Sequence, residues 1–90
     1  MNIDELYNLI EKRIKNKTKN SYTNKLIKLG SKKIAQKFGE EANELVIDYL
    51  KGSKKRTIEE AADLLYHFLV LLKSKKITIS EINKELSKRR

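Results

Sequence analysis

The chain has 90 residues, 21 Lys and Arg against 12 Asp and Glu, and a net charge of +9. It contains no cysteine, so disulfides, zinc–thiolate sites and thiol nucleophiles are excluded, which suits a reducing, cytoplasmic setting. A chain this short makes one domain, residues 1–90, and buries only about 60–65% of its unfolded surface, so self-association is expected.

Helical periodicity dominates, proline is absent and no stretch alternates strictly, which predicts an all-α fold. Residues 3–16 carry an apolar stripe of Ile3, Leu6, Leu9 (or Ile10) and Ile14, with acids at the start and bases at the end to suit the helix dipole. Asn16-Lys17-Thr18-Lys19-Asn20 reads as a loop. From Lys12 to Lys33 there are nine Lys/Arg and no acid, the most one-sided region of the chain. Such charge is either a solvated surface or a face for polyanions, nucleic acid or a multiply phosphorylated small molecule. Ser21 or Thr23 can cap a short helix through Leu29, which Gly30 stops.

Ser31 offers a cap for a long helix from about Lys32 to Leu50, with Ile34, Phe38, Ala42, Leu45 and Tyr49 as its apolar stripe. Gly39 is costly inside it and implies either a close approach or simple tolerance. After the turn Gly52-Ser53-Lys54-Lys55-Arg56, Thr57 and Glu60 form a capping-box pattern. The next helix is apolar nearly all round from Leu64 to Leu72, too short to span a bilayer but fit for a subunit interface. Ile77-Thr78-Ile79 reads as an extended connection. Ser80 opens a last helix with Ile82 and Leu86 inward, and Lys88-Arg89-Arg90 reads as a solvated tail.

The chemistry lies between Lys37 and His67. Glu41 and Glu44 share a helix face, and so do Glu60 and Asp63. If the two helices pair as a hairpin, four carboxylates meet, and a hard divalent cation, Mg²⁺ above all, is their natural occupant. Glu60 can instead serve as the partner of the Thr57 cap. Asp63 lies among Ala61, Ala62, Leu64 and Leu65, where a helix gains nothing from aspartate. Bound Mg²⁺ would serve in-line attack on a phosphoanhydride. Lys37, Lys54, Lys55 and Arg56 are candidate phosphate contacts. His67 is either a contact for substrate or metal-bound water, or a satisfied core histidine. No P-loop is present.

Glu-Glu-x-x-Glu followed by Glu-x-x-Asp resembles the MazG-like all-α nucleotide pyrophosphohydrolases. With Ser21-Tyr22-Thr23, Lys37-Phe38-Gly39-Glu40-Glu41-Ala42-Asn43-Glu44 and Glu60-Ala61-Ala62-Asp63-Leu64-Leu65-Tyr66-His67, the chain looks like the phosphoribosyl-ATP pyrophosphohydrolase family over about residues 5–87. The resemblance implies Mg²⁺-dependent hydrolysis of phosphoribosyl-ATP to phosphoribosyl-AMP and pyrophosphate, the second step of histidine biosynthesis. It implies a homodimer completing a bundle of four to five helices built on a helical hairpin. Glu41, Glu44, Glu60 and Asp63 are the implied metal ligands, with Glu40 a supporting or second-metal acid. Lys37, Ser21, Tyr22 and Thr23 are the implied substrate contacts, and Lys25, Arg56 and His67 stand beside them as candidate contacts on charge and placement. Asn43 stands where a threonine or similar small residue is expected, which alters none of these roles. Two alternatives compete: a MazG-like enzyme for another nucleoside triphosphate, against which Ser21-Tyr22-Thr23 argues, and a small basic nucleic-acid-binding protein, which leaves Asp63 unexplained.

Overall fold

The computed structural model describes residues 1–89. Within them the fold is all-α: α1 (Ile3–Asn16), α2 (Tyr22–Leu29), α3 (Ser31–Lys51), α4 (Lys54–Ser74) and α5 (Ile79–Lys88). Arg90 lies outside the described residues. Among the described residues no helix is long and apolar enough to cross a membrane.

The architecture rests on the α3–α4 pair. Each helix has 21 residues and so runs about 30 Å. Only Gly52 and Ser53 separate them, which forces an antiparallel hairpin. Core residues gather at one end of it: Ile10 from α1, Leu26 from α2, Ile34 from α3, and Leu69, Val70 and Leu72 from α4. Ile77, Ile79 and Ile82 pack on this cluster from the α5 end. Each such buried aliphatic contributes about 1.5–3 kcal/mol over an exposed one. Lys73 Nζ donates to Glu11 Oε2 at 2.6 Å and fastens α1 to α4. The Tyr7 hydroxyl donates to the Ile77 carbonyl at 3.1 Å and ties α1 to the approach to α5.

The far end of the hairpin has no such cover. Val46, Ile47, Tyr49, Leu50 and Ile58 are all more than half exposed. The radius of gyration is 14.1 Å, against roughly 12 Å for a compact chain of this length. Accessible surface is 7030 Å², against about 5,400 Å² for a monomer of this mass.

Several expected boundaries shift. α2 takes Ser21 as its cap, accepting from Asn24 N–H at 3.3 Å, while Thr23 is buried. Ser31 does not cap α3: the position falls to Gly30, which ends α2 and starts α3 in one residue and has no side chain to offer. Thr57 does not cap α4 either. Ser53 does so one turn earlier, accepting from Arg56 N–H at 3.1 Å, and Thr57 donates its hydroxyl to the Asp48 and Ser53 carbonyls. The last helix is capped by Thr78 with Glu81 in a full capping box, so Ser80 and Ile79 already lie inside it. Tyr49 and Leu86, expected inward, are 75% and 57% exposed, and Ile3 is 47% exposed. A Cβ on Gly39 would meet nothing within 4 Å among the described residues, so no close approach inside the chain explains that glycine.

Candidate metal and phosphate site

The hairpin carries the acids to one another. One carboxylate oxygen from each of Glu41, Glu60 and Asp63 lies within 4.8 Å of the other two. Glu41 comes from α3 and the other two from α4, so the cluster spans the pair. Glu44, one turn after Glu41, stands outside this group of three, and its carboxylate bears on Glu60. Because Ser53 caps α4, Glu60 is released from capping and stands buried at 5% exposure. Burial comes first, then the Glu44 carboxylate, in pushing the Glu60 carboxyl above the usual carboxylate range; Arg56 pulls the other way and Asp63 adds to the push.

Two oxygens in this cluster are orphans. Glu41 Oε2 and Glu60 Oε2 are buried without a hydrogen-bond partner among the described residues. Unpaired buried carboxylate oxygens are costly and call for a partner, a cation or an ordered water. An all-oxygen set of this kind is what a hard divalent cation takes. Glu44 and Asp63 are exposed, which leaves one side of the cluster open to solvent and substrate.

The remaining candidates fall into separate places. Glu40 is not in the cluster. It accepts from Gln36 Nε2 at 3.0 Å and from Lys37 Nζ at 3.2 Å, and these two donors hold its carboxyl below the usual range. The Glu40 bond in turn holds the Lys37 ammonium above its usual range. Lys37, Lys33 and Lys25 line a small cavity of about 170 Å³ between α2 and α3, closed on one side by Tyr22, Leu26 and Leu29. Arg56 is tied to acids: to Glu60 at 3.1 Å, Glu59 at 3.5 Å and Asp48 at 3.7 Å. Next to the cavity runs an open groove of about 550 Å³ along Thr18, Asn20, Ser21, Tyr22, Lys25 and Lys28. Its floor is fixed by Asn24, whose amide donates to the Arg13 and Thr18 carbonyls at 2.9 Å each.

Tyr22 and Thr23 join α2 to the acid-bearing α4. The Thr23 and Tyr66 hydroxyls are hydrogen-bonded to each other. His67 Nδ1 lies 2.8 Å from the Asp63 carbonyl, and its Nε2 lies 3.0 Å from the Tyr22 hydroxyl. The Tyr22 and Tyr66 rings stack at 6.1 Å. Tyr66, which the sequence offers only as part of a motif, proves to be the side chain that both Tyr22 and Thr23 contact. Its position three residues after Asp63 put it on the acid face, and that spacing was the available signal.

Fold and site together define an all-α protein whose carboxylates converge across an antiparallel helix pair, beside a lysine-lined cavity. The model of the family described as phosphoribosyl-ATP pyrophosphohydrolase matches residues 3–90, and the chain belongs to that family. It is 45% identical over 87 residues to a phosphoribosyl-ATP pyrophosphatase of Sulfolobus acidocaldarius, covering 97% of this chain and 92% of that protein. The phosphoribosyl-ATP pyrophosphatase of Clostridium acetobutylicum is also 45% identical over 87 residues, covering 97% of this chain and 79% of the relative. A bifunctional histidine biosynthesis protein of Thermotoga maritima is 44% identical over 86 residues, 96% of this chain but only 44% of that longer protein.

Proposed function

We propose that the chain hydrolyses phosphoribosyl-ATP to phosphoribosyl-AMP and pyrophosphate, as a step of histidine biosynthesis, with Mg²⁺ held by Glu41, Glu44, Glu60 and Asp63. Family membership supports the reaction. The metal part rests on one observation: two buried carboxylate oxygens, one on each helix of the hairpin, that lack a hydrogen-bond partner among the described residues. When bound, Mg²⁺ would neutralise phosphate charge and lower the pKa of a coordinated water.

The chain's own groups do the rest. Lys37, Lys33 and Lys25 line one cavity, where their ammonium groups would bind phosphate oxygens as point charges. Glu40 holds Lys37 in place by accepting its hydrogen bond. Ser21, Tyr22 and the groove beside them would receive the ribose and base parts of the substrate. Arg56 acts at Glu60: its guanidinium donates to Oε1 and would leave Oε2 free for the metal. The chain would work as a homodimer, covering the apolar hairpin end formed by Val46, Ile47, Leu50 and Ile58.

The test is pyrophosphate release from phosphoribosyl-ATP with Mg²⁺, with ATP and dUTP as control substrates and EDTA as the metal-free arm. Release should be confined to phosphoribosyl-ATP and lost with EDTA. Glu44→Gln and Asp63→Asn should each abolish turnover while helical circular dichroism is kept. Equal release from dUTP would point to a different nucleotide, and turnover in either variant would remove that residue from the ligand set.

A further inference from the structure

We propose that His67 is a positioning residue that makes Tyr22 a pure hydrogen-bond acceptor toward the substrate, and so selects a donor group, a sugar hydroxyl or an amino group, at that point. This rests on the phosphoribosyl-ATP reading above. His67 is buried at 7% exposure, and both its ring nitrogens are engaged. The Asp63 carbonyl can only accept, so Nδ1 carries the proton of the neutral ring. Nε2 is then the acceptor, and the Tyr22 hydroxyl donates to it. With its one hydrogen committed, the Tyr22 oxygen offers lone pairs alone to anything beside it.

What lies beside it agrees. Tyr22 is 43% exposed and lines both the lysine cavity and the neighbouring groove, and its hydroxyl lies close enough to Lys37, Glu40 and Glu41 to feel their charges. The ring is flanked on two sides. It stacks on Tyr66 at 6.1 Å and meets His67 edge-on at 5.7 Å, and the adjacent Thr23 is bonded to Tyr66. His67 is thereby fully occupied inside the protein, with no nitrogen left for metal or phosphate.

Steady-state kinetics on phosphoribosyl-ATP tests this. Tyr22→Phe removes the acceptor and should raise KM about three- to tenfold, the range of one hydrogen bond, with the change in KM rather than kcat. His67→Phe, which frees the Tyr22 proton, should raise KM similarly. His67→Gln can again accept from Tyr22 and should recover most of the loss. The double variant Tyr22→Phe/His67→Phe should be no worse than the weaker single, because both act through one bond. Mg²⁺ affinity measured calorimetrically without substrate should stay as in the wild type for Tyr22→Phe. Additive losses in the double variant, or an unchanged KM in Tyr22→Phe, would overturn the proposal while wild-type turnover stands. A wild type inactive on phosphoribosyl-ATP would overturn the underlying reading and the proposal with it. If His67→Phe fails to fold, Tyr22→Phe, at a half-exposed position, decides the matter.

Discussion

Glu60 carries two oxygens with different fates. Oε1 accepts from Arg56 at 3.1 Å, and Oε2 is buried with no hydrogen-bond partner among the described residues. Without metal its ionisation works against folding, because burial and Glu44 favour the protonated form. The sign follows from proton counting. A carboxyl raised above its ordinary 4.5 binds more protons folded than unfolded, so stability is greatest below that value and falls as pH rises through the folded pKa. Glu60→Gln should therefore melt higher than the wild type at neutral pH in EDTA, with the gap closing towards acid. It should also lose the rise in Tm that Mg²⁺ gives the wild type. A variant that melts lower than the wild type in EDTA at neutral pH would contradict the unfavourable ionisation. A second residue-scale expectation concerns Thr23, fully buried and bonded to Tyr66. Thr23→Val keeps the shape and deletes the bond, which should cost about 0.5–1.5 kcal/mol. At about 4–8 °C per kcal/mol for a domain of this size, the loss is readable in a thermal melt. The spacing of the acids was legible in the sequence because three-residue steps on two adjacent helices have few other uses. The Thr23–Tyr66 bond was not, since a hydroxyl near a helix start reads first as a cap.

The elements themselves follow from periodicity, but their starts do not. Hydroxyl residues stand at Ser53 and Thr57, and local pattern favoured the second because Glu60 follows at the right interval. The outcome is set by where α3 stops. Gly52 N–H donates to the Asp48 carbonyl at 2.8 Å, and the chain reverses at once, so α4 starts a full turn sooner. That earlier start frees Glu60 for the cluster. Gly30 has comparable leverage at the α2–α3 junction. Its φ of 95° with ψ of 178° is a conformation open essentially to glycine alone. It passes the chain from the tyrosine-bearing helix to the acid-bearing one without an intervening loop. Gly30→Ala should cost about 1–3 kcal/mol by thermal or urea melting. It should also raise KM for phosphoribosyl-ATP, because the first turn of α2 would be re-aimed against α4. A stability equal to the wild type would show that the junction relaxes freely.

At the scale of the whole molecule, surface is the main quantity left unbalanced. The chain exposes 7030 Å², roughly 1,600 Å² beyond a compact monomer of its mass. Among the described residues, half of the exposed large apolar side chains, Val46, Ile47, Tyr49, Leu50 and Ile58, lie at one end of the hairpin, where Leu50 is 70% and Ile58 is 59% exposed. Length alone raises the expectation of a partner, but a stripe that faces a core and one that faces a second copy have the same periodicity: Leu69, Val70 and Leu72, in the run that reads as fit for a subunit interface, are buried in the chain's own core. Tyr49 shows the ambiguity: it continues the stripe of Ile34 and Phe38, yet stands 75% exposed. A symmetric interface burying the excess from both copies would fall among obligate homodimers, roughly 2,000–5,000 Å² in total. Leu50→Glu should break it, since the two-fold axis places each new charge in the same desolvated patch twice. By sedimentation equilibrium the wild type should weigh about twice its 10.5 kDa chain at micromolar concentration, and Leu50→Glu should weigh close to one chain and melt lower. A dimeric Leu50→Glu would move the interface off the hairpin end, and a wild-type monomer at these concentrations would leave the excess surface to some other partner.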